Sequence, residues 1–313
     1  MRDAWDGCVD PTRPVHGERP RDRTRHYLLR MVQELDEWGD PLPNHDGPPR
    51  KTPNPVQAMK ARSFRELHER EEILALPNVW DVPSAKAVST AGGVRAIATA
   101  SHSISAMLGY EDGEKMPLET HLDIVERIMS VVKLPVTVDL ERGYGDPGEL
   151  VRRVIEMGAV GANLEDGMGP LQEATDAIEI VLKVAYEENI DFFLNARTDA
   201  MLKGYPGASR KDLVKEAVRR GQAFLEVGAP IVFVPGVFAR EEIELLVEEF
   251  GERKLSLIHI PGKSLPTAEL QELGVARVST GPYTQQVALT ALQDAAKEFA
   301  QGGVLPPGTR KLN

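Results

Sequence analysis

From about Phe64 onward, short runs rich in β-branched and aromatic residues alternate with longer stretches whose apolar positions recur at helical spacing. The runs are LPNVWD (76–81), VRAIATA (94–100), PVTVDL (135–140), VGANLED (160–166), DFFLNART (191–198), PIVFVPG (230–236), KLSLIHI (254–260) and VARVST (275–280), eight in all. Between and after them lie segments such as PLETHLDIVERIMSVV, GELVRRVIEMG, ATDAIEIVLKVAYEEN and PYTQQVALTALQDAAKEFAQGG. Many close on Gly or Asn, as helix C-caps do. Strict β/α alternation implies parallel strands joined by crossover helices. Eight such units in about 240 residues predict an α/β fold, a (β/α)8 TIM barrel, ahead of an open doubly wound sheet.

The pattern before Ala58 is different. DPTRPVHGERPRDRTR and GDPLPNHDGPPRKTPNP are rich in Pro, Arg and Asp, and only YLLRMVQELDEW between them reads as a short amphipathic helix. So little apolar material predicts a largely disordered extension over residues 1–58 and a barrel over 59–313. The alternative for the extension is a docking or oligomerisation arm.

Composition changes this picture only by exclusion. The chain has 313 residues, 42% hydrophobic and 27% charged, ordinary for a globular protein, and a formal charge of −11 argues against general nucleic-acid or anionic-membrane binding. A small anionic ligand must then be held by a specific local arrangement. One cysteine, Cys8, cannot form an internal disulfide. With no bilayer-length apolar run and no signal-like start, a cytoplasmic protein is expected.

In a (β/α)8 barrel the active site lies at the carboxyl ends of the strands, so the last residues of each run are the ones to read. They are Asp81; then ASHS (100–103); Asp139 and Glu141; Glu165 and Asp166; Arg197 and Asp199; His259; and Ser279 with Thr280. Asp139 and Glu141 share an inward face if the strand stays extended through Leu140. Glu165 on the next strand adds a third carboxylate, and converging anions repel unless protonated or neutralised by a cation. An all-oxygen donor set favours Mg2+ or Mn2+, with one carboxylate direct and the others reached through water. Each acid taken alone could equally be a helix N-cap or a solvated loop residue. Arg197, at the end of an apolar strand, needs an anionic partner, either one of these acids or a substrate carboxylate or phosphoryl group.

Together LPNVWDVPSAKAVSTAGGVRAIATAS, LGYEDGE, PVTVDLERGYGD, VGANLEDG, NARTDA and LGVARVSTGP resemble the isocitrate lyase/phosphoenolpyruvate mutase superfamily, over about residues 64–302. The resemblance implies a barrel whose last helix is exchanged between subunits of a homodimer or homotetramer. It also implies Mg2+-supported chemistry on small anionic 2-oxo acids through an enolate. By motif, Asp139 would be the main metal ligand, with Glu141 and Glu165 acting largely through water. Arg197 and the backbone around Ala100, Ser101 and His102 would hold the two anionic ends of the substrate, Asp112 would stand beside the metal, and Asp81 lies in the first-strand motif. His102, Tyr144 and His259 remain the candidate proton carriers, with no choice among them.

The departures matter as much. Lyases of this superfamily carry a KKCGH segment after the fourth strand, whereas here Glu165 is followed by DGMGPLQEATDA, with no Cys, His or Lys. Isocitrate cleavage by that route is not expected, and the longer asparagine-bearing loop of the phosphonomutases is absent too. A short loop admits water, so lyase and hydrolase chemistry both stay open. The expected activity is C–C cleavage in a small 2-oxo or 2-hydroxy dicarboxylate. Phosphonate P–C chemistry, or a catalytically reduced binding or assembly protein, are the alternatives.

Overall fold

The computed structural model describes residues 50–312. The extension up to residue 49, including the short helix expected there, lies outside them. Residues 50–54 are already tied to the barrel: the Lys51 amide donates to the Glu187 carbonyl at 3.1 Å, and its ammonium pairs with Glu188 at 2.9 Å. The first helix, α1 (Pro55–Glu69), is capped by Asn54, whose side chain accepts from the Val56 amide at 2.9 Å. Pro55 follows at a position whose own amide would have no helical partner.

The barrel then runs β1 (Leu74–Leu76), β2 (Asn78–Val79), α2 (Val82–Ser89), β3 (Ile97–Thr99), α3 (Ser101–Leu108), α4 (Leu118–Val131), β4 (Val136–Asp139), α5 (Pro147–Glu156), β5 (Gly161–Glu165) and α6 (Leu171–Glu187). It continues β6 (Phe193–Arg197), α7 (Arg210–Glu226), β7 (Ile231–Phe233), α8 (Arg240–Phe250), β8 (Leu255–Ile258), α9 (Thr267–Glu272), β9 (Arg277–Ser279) and α10 (Tyr283–Ala300). Every strand pairing is parallel, in the order β1-β9-β8-β7-β6-β5-β4-β3-β2. β1 and β2 are halves of one stave, divided at Pro77, which has no amide to give the ladder. β1 pairs with β9 and β2 with β3, so the sheet closes on itself, which rules out the open-sheet alternative. Asn78 stitches the seam: its amide group donates to the Thr99 carbonyl on one side, and its Oδ1 accepts from Thr280 and Gly281 on the other.

One end of this barrel is plugged. Phe64 and His68 of α1 are buried against Phe193, the first residue of β6, with His68 stacked on it at 3.8 Å. Gly161, the first residue of β5, must be glycine here, since a Cβ would stand 2.6 Å from the Phe193 carbonyl oxygen and 3.0 Å from the Phe64 ring. The plug therefore covers the amino ends of the strands and leaves the carboxyl ends open.

The lumen is polar. Asn163 Oδ1 of β5 accepts from Asn195 of β6 at 2.8 Å and from Arg277 of β9 at 3.0 Å. Three strands separate β9 from β5 in the sheet, so that last bond crosses the barrel interior. Since side chains alternate along a strand, Asn163 and Glu165 share the inward face, as do Asn195 and Arg197. The layer of Glu165 and Arg197 thus stands directly above the asparagine layer, at the open mouth.

Candidate active site

Glu165 and Arg197 are Cα partners at the ends of β5 and β6. Arg197 Nη1 lies 2.8 Å from Glu165 Oε2, and its Nε donates to Asp199 Oδ1 at 2.7 Å. Arg197 is thus engaged by two of the chain's own acids, the structural partner that the sequence left open against a substrate anion. Burial, which alone would lower its pKa, is outweighed by Glu165, Asp199 and Asp139, so the guanidinium is firmly charged. Glu165 is pulled the other way. Burial first, then the charges of Asp199 and Asp139, raise its pKa against the opposing pull of Arg197 and Lys203. Three acids, Glu165, Asp199 and Asp139, thus gather around two cations, Arg197 and Lys203, at the mouth.

Asp139, the last residue of β4, is buried. Its Oδ2 accepts from both the amide and the hydroxyl of Ser101, at 3.0 and 2.7 Å, and its own amide donates to Thr99 Oγ1 at 2.9 Å. Ser101 opens α3 immediately after Ala100, so the amino end of that helix faces Asp139, as the partial positive charge there favours. Part of the loop expected to receive a substrate anion is thus turned to the chain's own carboxylate. His102, the next residue, points outward and sits 3.4 Å from Asp112, both about half exposed. The hydrogen bond with Asp112 raises the His102 pKa, burial opposes it, and the charges of Asp112 and Asp139 add to the rise. Asp112 is correspondingly lowered: burial opposes, but the bond to His102 and the charges of His102 and Arg197 prevail.

Glu141 departs from the sequence expectation. The strand ends at Asp139, and Glu141 takes φ +50, followed by positive φ at Gly143, Tyr144 and Gly145. The extended path through Leu140 that would have placed Asp139 and Glu141 on one strand face is therefore not followed. A left-handed turn carries Glu141 instead, and Gly143 is needed in it because a Cβ would lie 2.7 Å from that of Pro147. The Glu141 carboxylate is nonetheless close enough to Asp139 and Asp112 to feel both. Burial first, then these charges, raise its pKa, while hydrogen bonds from the Tyr144 hydroxyl and the Glu114 amide act against the rise. Burial and the bond to Glu141, 2.7 Å long, raise the Tyr144 pKa far above neutrality, which makes its phenol a donor and a poor base.

Asp81 and His259 stand apart from this group. Asp81 caps α2, accepting from the Ser84 amide at 2.7 Å in a capping box. With His259 it lines a cavity of about 670 Å3 between the mouth of the first stave and α10, walled also by Trp80, Tyr283 and Val287. Neither shares a hydrogen bond or ion pair with Asp139, Glu141, Glu165 or Arg197 among the described residues.

Four further residues belong to the site or its support. Lys203, on the loop after β6, lies 2.6 Å from Asp199 Oδ2 and 3.5 Å from Glu165 Oε1; its i+4 spacing from Asp199 was the signal in the sequence. Glu114 accepts from the amides of Arg142 and Tyr144 and so fastens the loop after β4. His121 of α4 is buried beside Tyr144, its pKa lowered by burial against the charge of Asp139. Arg277 is wholly buried in the lumen, and burial lowers its pKa to about 9 although Asp139 opposes this. Nothing in VARVST distinguishes an inward arginine from an outward one.

The family profile described as phosphoenolpyruvate phosphomutase matches residues 64–300. The chain belongs to that family. An uncharacterised protein of Mycobacterium tuberculosis (strain CDC 1551 / Oshkosh) is 32% identical to this phosphoenolpyruvate phosphomutase family member over 247 residues, 78% of this chain and 91% of its own. The oxaloacetate decarboxylase of Paraburkholderia xenovorans (strain LB400) is 26% identical over 249 residues, 77% of this chain and 82% of that one. Among solved structures, a Burkholderia cenocepacia J2315 protein crystallised as a candidate phosphonomutase is 36% identical, with a TM-score of 0.70 over 77% of this chain and 99% of its own. These matches place this family member in the isocitrate lyase/phosphoenolpyruvate mutase superfamily, whose enzymes cleave C–C or P–C bonds.

Proposed function

We propose that the chain is a Mg2+-dependent enzyme, Mn2+ substituting, that cleaves a C–C bond in a small 2-oxo or 2-hydroxy dicarboxylate through an enolate. The observation that carries this is the excess of buried carboxylate at the open mouth, where Glu141 and Glu165 are both raised in pKa beside Asp139. Such a set fits a hard divalent cation. Among the described residues no three His, Cys, Asp or Glu side chains stand close enough to grip one ion together, so the fit to Mg2+ rests on one direct carboxylate with retained waters. Asp139 would hold it directly, and Glu141, Glu165 and Asp112 through water. Bound there, Mg2+ supplies Lewis-acid stabilisation of the negative charge that develops on the 2-oxo oxygen.

The chain's own groups do the rest. Ser101 orients Asp139 through its amide and hydroxyl. Tyr144 fixes the Glu141 carboxylate, and Arg197, paired with Glu165 and Asp199, would present its guanidinium to the substrate's carboxylate. His102, half exposed and hydrogen-bonded to Asp112, is the proton carrier best placed beside the anion loop. The similarity to oxaloacetate decarboxylase supports the C–C reading. The family description and the 36% identical phosphonomutase candidate support P–C chemistry as the second reading. The working form is a homodimer or homotetramer with exchanged α10, in the cytoplasm.

The test is turnover. Purified protein with Mg2+ is expected to release pyruvate or another 2-oxo acid from oxaloacetate or an alkylmalate, and to stop when EDTA is added. Product from phosphonopyruvate alone would transfer the assignment to P–C cleavage, and binding without product from any of these would make the chain a ligand-binding protein.

A further inference from the structure

Lys203 and Arg197 divide two carboxylates between them. Arg197 takes Asp199 Oδ1 and Glu165 Oε2; Lys203 takes Asp199 Oδ2 at 2.6 Å and Glu165 Oε1 at 3.5 Å. The members of this quartet are not equally fixed. The side chains of Asp199, Glu165 and Arg197 are 0, 8 and 18% exposed, whereas that of Lys203 is 49% exposed, on the solvent side of the mouth. Asp199 is held further by its amide, which donates to Asp166 Oδ1 at 2.9 Å. Of the two lysine contacts, the one to Asp199 is a close ion pair, and the one to Glu165 is at the limit of hydrogen-bond distance. Lys203 is therefore anchored at Asp199 and loosely held at Glu165, with a flexible four-carbon stem between backbone and charge.

The neighbouring loop makes this cation matter. The segment after Glu165, DGMGPLQEATDA, brings no lysine, histidine or cysteine to the mouth, so a cation beyond Arg197 must come from another loop. Arg142 pairs with Glu114 on the loops after β3 and β4, whereas Lys203 is the half-exposed cation paired with Glu165 and Asp199 beside Arg197. We infer that Lys203 is a specificity-determining residue: its ammonium leaves Glu165 and receives the second anionic group of a dianionic substrate, the group remote from the end held by Arg197. This rests on the carboxylate-substrate reading above and adds to it that the site selects two negative charges over one.

The experiment compares two stable 2-hydroxy acids that differ in that remote group, racemic malate and racemic lactate, titrated calorimetrically into protein saturated with Mg2+. In Lys203→Met the malate affinity is expected to fall about tenfold or more, the scale of losing one hydrogen bond to a charged group. Lactate affinity stays as in the wild type, the melting temperature falls because the buried Asp199 loses its partner at Oδ2, and Lys203→Arg recovers stability and part of the malate affinity. A merely structural lysine would move both ligands together. Wild-type protein that binds malate, with a Lys203→Met variant that binds it as tightly, overturns the proposal alone. Wild-type protein that binds neither acid overturns the functional reading and the proposal together.

Discussion

Asp139 meets two demands at once: it accepts two bonds from Ser101, and it faces the other acids of the mouth. Removing the Ser101 hydroxyl in Ser101→Ala leaves the backbone bond and frees one lone pair of a buried carboxylate. A hydrogen bond to a charged group contributes about 1.5–3 kcal/mol, so the variant is expected to melt earlier and to bind Mn2+ several-fold more weakly, as followed by electron paramagnetic resonance. Asp139→Ala should abolish metal-dependent activity, and full activity in that variant would remove Asp139 from the mechanism. The His102–Asp112 pair carries a pH signature. The folded-state pKa of His102 is raised, so the pair's stabilisation is complete below the unfolded value of about 6.5 and is lost as pH rises through the folded value. Asp112, being lowered, keeps its contribution above about 3.9 and loses it in acid. Both side chains are about half exposed, so solvent screening limits the effect to under about 1 kcal/mol. The melting-temperature difference between wild type and His102→Gln should be largest near about pH 5 to 6 and fade toward alkaline pH. A difference that grows with pH would exclude the pair as its source.

At the scale of elements, the strand ends were legible because a barrel forces polar groups to the carboxyl rim, and Asp139, Glu165 and Arg197 stand where the runs PVTVDL, VGANLED and DFFLNART place them. What the runs could not show is where the extended backbone stops. Glu141 lies beyond that point, and the turn that carries it depends on left-handed residues and on Glu114 from a different loop. Arg277 was hidden for a related reason: three residues of strand do not say which face looks into the lumen. Asp81 was read as a strand end, but β2 stops at Val79 and Asp81 serves as the cap of α2, which starts at the next residue. The plug helix α1 gives an element-scale prediction. Phe64 is fully buried against Phe193 and Gly161 at the closed end of the barrel, opposite the mouth. Phe64→Ala should cost about 3–5 kcal/mol in denaturant unfolding. The folded variant should keep its Mg2+ affinity, and a loss of affinity equal to that of Ser101→Ala would show that the two ends of the barrel are coupled.

At the scale of the whole molecule, α10 is held to the barrel by its first turn, through Thr284 and Gln285, and is left largely uncovered beyond it. Of its 18 residues only Gln285 is buried, while Val287, Leu289, Leu292 and Phe299 are each more than half exposed. The cavity of about 670 Å3 beside it is walled by Trp80, Val88 and Val287 near the rim of the first stave. An amphipathic helix of this length presenting four large apolar side chains to water is costly, since burying each contributes about 1.5–3 kcal/mol. Exchange of α10 with a second copy, the arrangement that the family resemblance implies, would cover that face and complete the wall of the cavity. The expected outcome is a dimer or tetramer by light scattering, with a melting temperature that rises with protein concentration. Leu292→Asp puts a charge between Leu289 and Phe299 and should give monomers of lower melting temperature, whereas an exposed change on another helix, such as Glu248→Ala on α8, should leave the assembly intact. Because Asp81 and His259 line the cavity and no residue of the carboxylate cluster does, the monomeric variant should retain Mg2+ affinity while losing any function that depends on the covered cavity. A wild-type protein that is monomeric at every concentration would exclude exchange of α10 between copies.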